Sequence, residues 1–308
     1  MPVSTKTPNL AACVIPLTSR GGLDEAALRR HMRFMRKRNI GLCLGAYNTG
    51  QGLLLTPREV RRIYEIGVEE LKGKVPVYAV ALGYTATAVV IKKARAAAAL
   101  GVDGAQIYPP RPGPAASPVP LKELDRFYRD ILEAVDGPIV LGLQSENMLE
   151  KTFPLEMFGR WFDDYPHIVG INCTGREEGQ LQALARAFGK RVPVRNAGVG
   201  SVLANLEAGG LGFLGSEANV APTFVNNIVS AWKRGDMAAA KENLAKVQRL
   251  GAVLRQSSVR SEMAAVHLLG RIGPTLRRPY LPLEGEQLRA VAAILDELGI
   301  STLERGDG

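Results

Sequence analysis

The sequence has few of the residues that build disulfide frameworks and metal sites. Among its 308 residues are three cysteines, Cys13, Cys43 and Cys173, which lie far apart and form no Cys-x-x-Cys motif. An odd number of separated cysteines predicts neither a disulfide framework nor a zinc site, and it fits a reducing compartment. The histidines are scattered over a helical segment, a strand start and the C-terminal third, at His31, His167 and His267. We therefore expect no metal ion and no cofactor.

Long apolar runs and a basic surface rich in aromatic residues are also absent. No run approaches the roughly 20 apolar residues of a bilayer-spanning helix, and residues 1–8 lack the basic-then-apolar pattern of a signal peptide. The net charge is +9, but aromatic residues make up 6% of the chain, and the basic residues of segment 29–38 lie on the helical face opposite Leu28, Met32 and Met35. These features argue against membrane and nucleic-acid partners and predict a cytoplasmic protein.

Short apolar runs alternate with amphipathic helical stretches along most of the chain. Apolar residues make up 46% and charged residues 22%, the balance of an ordinary globular protein. The runs begin about 28 residues apart, as consecutive βα units require, and eight of them are predicted strands: 10–15, 40–45, 75–82, 103–108, 138–143, 167–172, 192–196 and 211–216. Eight such units can close into a parallel barrel of the TIM type. The alternation also permits an open doubly wound sheet, which the missing Gly-x-Gly-x-x-Gly turn after the first strand disfavours.

The helical pattern contains start signals, and in the last part of the chain it continues without strands. Thr56, Pro57 and Glu59 combine a capping residue, a first-turn proline and an acidic third residue, which predicts a helix start. Beyond Pro222 only helices are predicted, at 223–234, 237–254, 258–269 and 283–298. We therefore predict a TIM (βα)8 barrel over residues 1–222 and a C-terminal helical annex over 223–308, with a frayed end at 304–308.

Polar residues follow the predicted strands at the points where such barrels bind ligands, the C-terminal strand ends. They are Asn48, Thr49, Gly50 and Gln51 after the second strand, Tyr108 and Arg111 after the fourth, Gln144 after the fifth, Asn172, Arg195 and Asn196 ending the sixth and seventh, and Glu217 and Asn219 after the eighth. Arginine pairs with carboxylate or phosphate through two parallel hydrogen bonds, so this set predicts an anion site. The alternative places Arg111 and Arg195 at the rim, in contact with water.

Several of these residues have two interpretations. Glu217, the one carboxylate expected near the barrel mouth, is a candidate general base; paired with Arg195 it is instead a structural ion pair with a lowered pKa, which we favour. Tyr108 is a candidate proton donor or a packing residue. The glycines of segment 198–201 fit a phosphate cradle or, as we favour, a tight turn. Strand alternation points Cys173 towards the helices, which predicts a structural thiol.

Five segments occur in the order and at the separations found in one enzyme family. They are 44–51 with the helix start at 55–59, then 101–110, 138–141, 168–171 and 212–222. In these segments the chain resembles the dihydrodipicolinate synthase and N-acetylneuraminate lyase family of pyruvate-type aldolases, over nearly its whole length. The resemblance implies a TIM barrel with C-terminal helices, a small acid as ligand, and a homotetramer.

The residues at the family's catalytic positions differ in this chain. The family has a Schiff-base lysine on the sixth strand and a proton-relaying tyrosine at the end of the fifth; by resemblance these positions are Asn172 and Gly142. An asparagine amide cannot condense with a ketone, because its nitrogen lone pair is delocalised. Lys151 and Lys190 do not end strands, so we do not expect either to replace the missing amine.

The loop that holds the keto acid's carboxylate in the family is retained in part. Thr49 and Gly50 match the family's loop, whereas Asn48 and Gln51 stand where the family has threonine and glutamate. The family's tyrosine pair after the fourth strand appears here as Arg111 and Pro112. By this resemblance, the chain keeps polar residues for binding a ligand but lacks the residues of the family's standard mechanism.

Two functional hypotheses follow. In the first, the protein is an enzyme that binds a small keto acid or sugar acid and performs imine-independent lyase or dehydratase-type chemistry, with Glu217 or Tyr108 moving the proton. In the second, it is a catalytically silent binding or sensing protein. In both, the predicted substrate-binding residues are Asn48, Thr49, Gly50, Gln51, Arg111, Gln144, Asn172 and Arg195. A standard Schiff-base synthase is disfavoured.

Overall fold

The eight predicted strands form a closed parallel barrel. In a computed structural model, which describes residues 6–81, 86–110, 119–143, 153–173 and 178–306, the strands follow one another round the barrel in sequence order. They are β1 (Leu10–Ala12), β2 (Gly41–Leu44), β3 (Val77–Ala81), β4 (Gly104–Ile107), β5 (Ile139–Leu143), β6 (Ile168–Cys173), β7 (Val194–Ala197) and β8 (Gly212–Leu214). The predicted TIM barrel is confirmed, and the open doubly wound sheet is wrong.

Helices alternate with the strands and then continue alone. Those that alternate with the strands are α1 (Glu25–Lys37), α2 (Pro57–Leu71), α3 (Thr87–Ala99), α4 (Leu121–Ala134), α5 (Leu155–Asp164), α6 (Glu178–Phe188) and α7 (Val202–Glu207). Those that follow β8 are α8 (Glu217–Val220), α9 (Pro222–Lys233), α10 (Met237–Leu254), α11 (Val259–Leu268), α12 (Gly285–Glu297) and α13 (Ile300–Leu303). The four helices predicted beyond Pro222 are confirmed as α9 to α12. In the described part of the chain, none of the helices has the length and apolar character to cross a membrane.

The start of α2 shows how local sequence sets a helix boundary. Thr56 Oγ1 accepts a hydrogen bond from the backbone N–H of Glu59 at 3.2 Å, and Glu59 Oε2 accepts one from the N–H of Thr56 at 2.8 Å. This reciprocal pair, with Pro57 in the first turn, satisfies N–H groups that a helix otherwise leaves unpaired. The predicted start signal is confirmed.

By its contacts the chain divides into two compact units. The first unit, Met1–Pro76 with Gly215–Gly308, contains β1, β2, α1, α2 and α8 to α13. Within it, Leu28, Met32 and Met35 are fully buried on the apolar face of α1, as predicted. The last helices thus group with the first two strands. The predicted division between barrel and annex after residue 222 stays a prediction.

The C-terminal segment of the first unit is anchored rather than frayed at Glu304. This residue is fully buried, and its Oε1 accepts a hydrogen bond from the backbone N–H of Thr223 at 2.8 Å. Its Oε2 lies 3.3 Å from Arg38 Nε. The prediction of a frayed end is therefore wrong at residue 304, because the carboxylate stabilises the first turn of α9.

The second unit, Val77–Leu214, contains β3 to β8 and α3 to α7. Its apolar core includes the rings of Tyr128 on α4 and Trp161 on α5, whose centroids are 5.0 Å apart. Trp161 Nε1 donates to Asp125 Oδ1 at 2.8 Å, so the buried ring satisfies its polar atom. Cys173 is buried in the same apolar cluster, which supports its predicted structural role.

Candidate functional site

Three buried polar residues lie on three strands of the second unit. Gln106 on β4, Asn172 on β6 and Arg195 on β7 have no solvent exposure. In the strand register Asn172 is paired with Gly142 of β5 on one side and with Arg195 on the other. Paired residues on adjacent parallel strands point to the same face of the sheet, so the amide of Asn172 and the guanidinium of Arg195 share one face.

A chain of hydrogen bonds connects the amides to a phenol. Asn172 Nδ2 donates to Gln106 Oε1 at 2.7 Å, and Gln106 Nε2 donates to Tyr108 Oη at 2.5 Å. Across the described residues, Asn172 Oδ1 has no hydrogen-bond partner. A buried acceptor left unsatisfied costs about 1–3 kcal/mol. The oxygen of Asn172 is therefore suited to accept a hydrogen bond from a bound water or ligand hydroxyl.

Gly142 makes room for the ring of Tyr108. A Cβ atom at position 142 would lie 2.8 Å from Tyr108 Cδ1 and 2.9 Å from Tyr108 Cε1. Both distances are shorter than real side chains tolerate, so the ring occupies the space that any larger residue would need. Tyr128 Oη donates to Gly142 O at 2.8 Å and holds this strand end in place. Because Gly142 has no side chain, the ring of Tyr108 can lie over it while its phenol oxygen contacts the side-chain amide of Gln106.

The loop after β2, residues 45–55, is closely packed in the first unit. A Cβ atom at Gly50 would lie 2.6 Å from the backbone oxygen of Ala46, so only glycine fits there. Gln51 has a left-handed backbone with φ of 50°, and both ends of its amide are engaged by backbone groups. Its Nε2 donates to Ile15 O at 3.3 Å, and its Oε1 accepts from the N–H of Arg277 at 2.8 Å. Gln51 therefore braces the loop.

Two residues of the same loop differ in exposure. Thr49 is buried, with 4% of its surface exposed, whereas Asn48 is exposed. The hydroxyl of Thr49 forms a hydrogen bond with the carboxyl of Glu262, which projects from α11. Of the two side chains, that of Thr49 is therefore the one held in place by its surroundings.

Glu217 begins α8 and is almost completely buried. Burial raises the pKa of Glu217, and Arg255, whose Nη1 lies 3.8 Å from Glu217 Oε1, offsets only part of this effect. The favoured prediction of a lowered pKa is therefore wrong. The cation near Glu217 is Arg255, which is itself largely exposed, so the loss of hydration at the carboxylate outweighs its attraction.

Glu262 is a second buried carboxyl, and the sequence did not single it out. It is 6% exposed, and burial raises its pKa to about 7, with the nearby Glu217 acting in the same direction. The hydroxyls of Ser216 and Thr49 bind the carboxyl and act in the opposite direction. In sequence, a glutamate in the first turn of a helix is the ordinary partner of the helix dipole, so no local signal marked it. Gln106, by contrast, could have been identified from the sequence, since it is a polar residue within an otherwise apolar strand.

The remaining candidates are placed as follows. Arg111, Pro112, Gln144 and Lys151 lie outside the described residues. Lys190 is exposed and precedes β7. Gly198 has φ of 94°, in the left-handed region, which agrees with the tight-turn interpretation of segment 198–201. Within the described ranges, no group of three or more His, Cys, Asp or Glu side chains is arranged to hold a metal ion.

Solved structures share the fold of this chain. A monomeric dihydrodipicolinate synthase variant superposes with a TM-score of 0.87 at 22% identity, over 97% of this chain and 99% of that chain. N-acetylneuraminate lyase from Mycoplasma synoviae superposes with a TM-score of 0.81 at 21% identity, over 95% and 98%. A prophage protein of the dihydrodipicolinic acid synthase family from E. coli K12, in complex with pyruvate, gives 0.80 at 19% identity, over 95% and 98%.

Sequence comparison leads to the same family. The 4-hydroxy-tetrahydrodipicolinate synthase of Oleidesulfovibrio alaskensis is 26% identical over 299 residues, covering 94% of this chain and 98% of the relative. That of an Anaeromyxobacter species is 29% identical over 302 residues, covering 95% and 97%. The model of the dihydrodipicolinate synthetase family matches residues 7–298. The chain therefore belongs to the dihydrodipicolinate synthetase family.

Proposed function

We propose that this protein binds a small keto acid or sugar acid at the C-terminal mouth of its barrel and carries out lyase or dehydratase-type chemistry without an imine. The observation that carries the proposal is Asn172, which is fully buried and bonded through its Nδ2 to Gln106. By the family resemblance this is the lysine position. An amide there can orient a ligand by hydrogen bonding and cannot form a Schiff base.

The polar groups of the second unit suit an acid that also has a hydroxyl group. Arg195 is fully buried and adjacent in register to Asn172, and a guanidinium removed from water is a strong partner for a carboxylate. Asn172 Oδ1, which is without a partner in the described part of the chain, is an acceptor for a hydroxyl. Together they favour a hydroxylated acid over pyruvate. Thr49 and Gly50 remain proposed ligand-binding residues by resemblance.

Elimination from such an acid requires one group that removes the proton next to the carboxylate and one that protonates the departing hydroxyl. Tyr108, which accepts a hydrogen bond from Gln106 and is held over Gly142, is the first proposed proton-transfer group. Glu217 is the second proposed group, because a carboxyl with a raised pKa exchanges protons nearer to neutral pH than an ordinary glutamate. Cytoplasmic location and a homotetramer complete the proposal.

The imine-free part is tested by sodium borohydride trapping with pyruvate, followed by peptide mass spectrometry. We expect no adduct with the native protein, and a lysine-bearing relative provides the positive control. An adduct on any lysine of this chain would overturn the imine-free mechanism. The Asn172→Lys variant is the matched test of the pocket, because trapping of pyruvate at residue 172 would show that the ligand site of the family is retained.

The ligand and the enzyme activity are tested separately. Thermal unfolding in the presence of pyruvate, lactate, glycerate and gluconate measures binding, and product analysis by NMR measures turnover. Stabilisation that Arg195→Leu abolishes, with a new product, supports the enzyme. Stabilisation without any product favours the silent binding protein. If none of these acids stabilises the protein, the proposed ligand class is wrong.

A further inference from the structure

The side-chain amide of Gln106 lies between two polar groups of the second unit. Gln106 is on β4 and Tyr108 is two residues further along the chain, so the two side chains project from the same face of the sheet. Gln106 Nε2 donates to Tyr108 Oη at 2.5 Å, and Gln106 Oε1 accepts from Asn172 Nδ2 at 2.7 Å. All three residues are buried. Bulk water therefore does not compete for these two hydrogen bonds.

Gln106 reaches Asn172 across the intervening strand β5. In the strand register Gln106 is paired with Val140 of β5, and Asn172 is paired with Gly142 of the same strand. The backbones of β4 and β6 are thus two strand spacings apart, about 10 Å, a distance that two polar side chains together can span. Gly142 contributes no side chain beside Asn172. This leaves the amide of Asn172 open to the longer side chain of Gln106.

The hydrogen bonds of Gln106 set the orientation of the Asn172 amide. A side-chain amide donates through its nitrogen and accepts through its oxygen. Because the nitrogen of Gln106 is turned to Tyr108, its oxygen is turned to Asn172. An oxygen can only accept, so Asn172 presents Nδ2 to Gln106 and turns Oδ1 away. This Oδ1 is buried and has no hydrogen-bond partner within the described ranges. Gln106 therefore decides which end of the Asn172 amide is left for a ligand.

We propose that Gln106 is a specificity-determining residue, which holds the amide of Asn172 so that the site selects 2-hydroxy acids over 2-keto acids. The inference rests on the proposed function, in which Asn172 contacts the ligand. The hydroxyl of a 2-hydroxy acid can donate to Asn172 Oδ1. A keto oxygen has no proton, so two acceptors would face each other in a buried site and Oδ1 would stay unpaired.

The opposite orientation of both amides makes the opposite prediction. If Tyr108 donated to Gln106 and Gln106 donated to Asn172, the same contacts would be kept and Asn172 would present Nδ2 to the ligand. A site of that polarity would favour the keto acid. The preference between two acids that differ only in this group therefore reports the orientation of the Asn172 amide.

The test is isothermal titration of the whole protein with lactate and with pyruvate, which share a carboxylate and a methyl group and differ in the oxygen on the second carbon. For the native protein we expect a Kd for lactate that is lower than that for pyruvate by roughly tenfold or more. A ratio near one, or tighter binding of pyruvate, overturns the inference and leaves the proposed acid site intact. If neither acid binds, both the inference and the proposed function are overturned.

Two variants separate this role from a purely structural one. Gln106→Glu retains an oxygen that accepts from Asn172 Nδ2, so the preference for lactate should persist. Gln106→Leu removes that acceptor and frees the amide of Asn172 to turn, so the ratio of the two Kd values should fall to near one. Gln287→Leu on α12, where the glutamine is exposed, is the matched control and should keep the native ratio. A native ratio in Gln106→Leu overturns the inference. If a variant does not fold, the ratio measured for the native protein decides.

Discussion

Replacing Glu262 with glutamine should change the pH dependence of folding stability, whatever the ligand is. Glu262 in the folded protein has a pKa of about 7, compared with an ordinary value of 4.5. Because the folded state holds this proton more tightly than the unfolded chain, the stabilisation is fully present below about pH 4.5 and is lost as the pH rises to about 7.

The size of the effect follows from the difference between the two pKa values. At about 1.4 kcal/mol per pKa unit, the change from 4.5 to about 7 corresponds to roughly 3 kcal/mol of unfolding free energy. The residue is almost completely buried, so solvent screening reduces this figure little. Glutamine cannot ionise. The variant should therefore match the native protein at pH 4.5 and exceed its stability by about 3 kcal/mol at pH 8.

Urea unfolding of both proteins at pH 4.5 and pH 8 measures this difference. Comparing the two proteins at each pH cancels the other titrating groups, including Glu70, whose hydrogen bonds and ion pairs with Arg33 and Arg29 lower its pKa to about 2. The exposed Glu297→Gln variant should show the same offset from the native protein at both pH values. If Glu262→Gln and the native protein differ by the same unfolding free energy at pH 4.5 and at pH 8, the reasoning is refuted, because the buried carboxyl is then ionised over the same pH range as in the unfolded chain.

Three further changes test the local structure. Asn172→Leu leaves Gln106 Oε1 without its donor, so urea unfolding should show a loss of about 1–3 kcal/mol in unfolding free energy. The loss should be smaller for Asn172→Gln, which retains an amide, and equal losses would show that this hydrogen bond contributes little. Gly142→Ala places a Cβ against the ring of Tyr108 and should lower the unfolding free energy by about 1–3 kcal/mol. Adding Tyr108→Ala to this variant should recover part of the loss, and no recovery would exclude the clash as its cause. Thr56→Ala removes the hydroxyl of the capping box and should lower the unfolding free energy by about 1 kcal/mol. Thr56→Ser keeps the hydroxyl and should be nearly neutral, so equal losses in the two variants would contradict the capping role.

The barrel could be predicted from the sequence because its signals are local. Each strand is a short apolar run and each helix an amphipathic stretch, so residues within one element report its type. The capping box at Thr56 and Glu59 needs only three residues of chain, and it was predicted correctly. The apolar strand that contains Asn172 and the buried face of α1 are further cases in which periodicity alone indicated the outcome.

The predictions of a frayed end and of a lowered pKa for Glu217 were wrong because both depend on residues that are distant in the sequence. Glu304 is buried against Thr223, 81 residues earlier in the chain, and nothing in the neighbouring residues indicates this contact. Glu217 has a raised pKa because tertiary packing removes its hydration, and the nearby Arg255 is too exposed to compensate fully. Neither desolvation nor the identity of a partner is a property of a short segment.

The sequence by itself determined the fold type and the approximate positions of the eight strands and of the four helices α9 to α12. Only the tertiary structure decided that Gln106 binds Asn172, 66 residues later, that Tyr108 fills the space above Gly142, and that Glu262 lies behind Thr49. Element type depends on interactions over a few residues, whereas the chemistry of a buried polar group depends on what surrounds it in space.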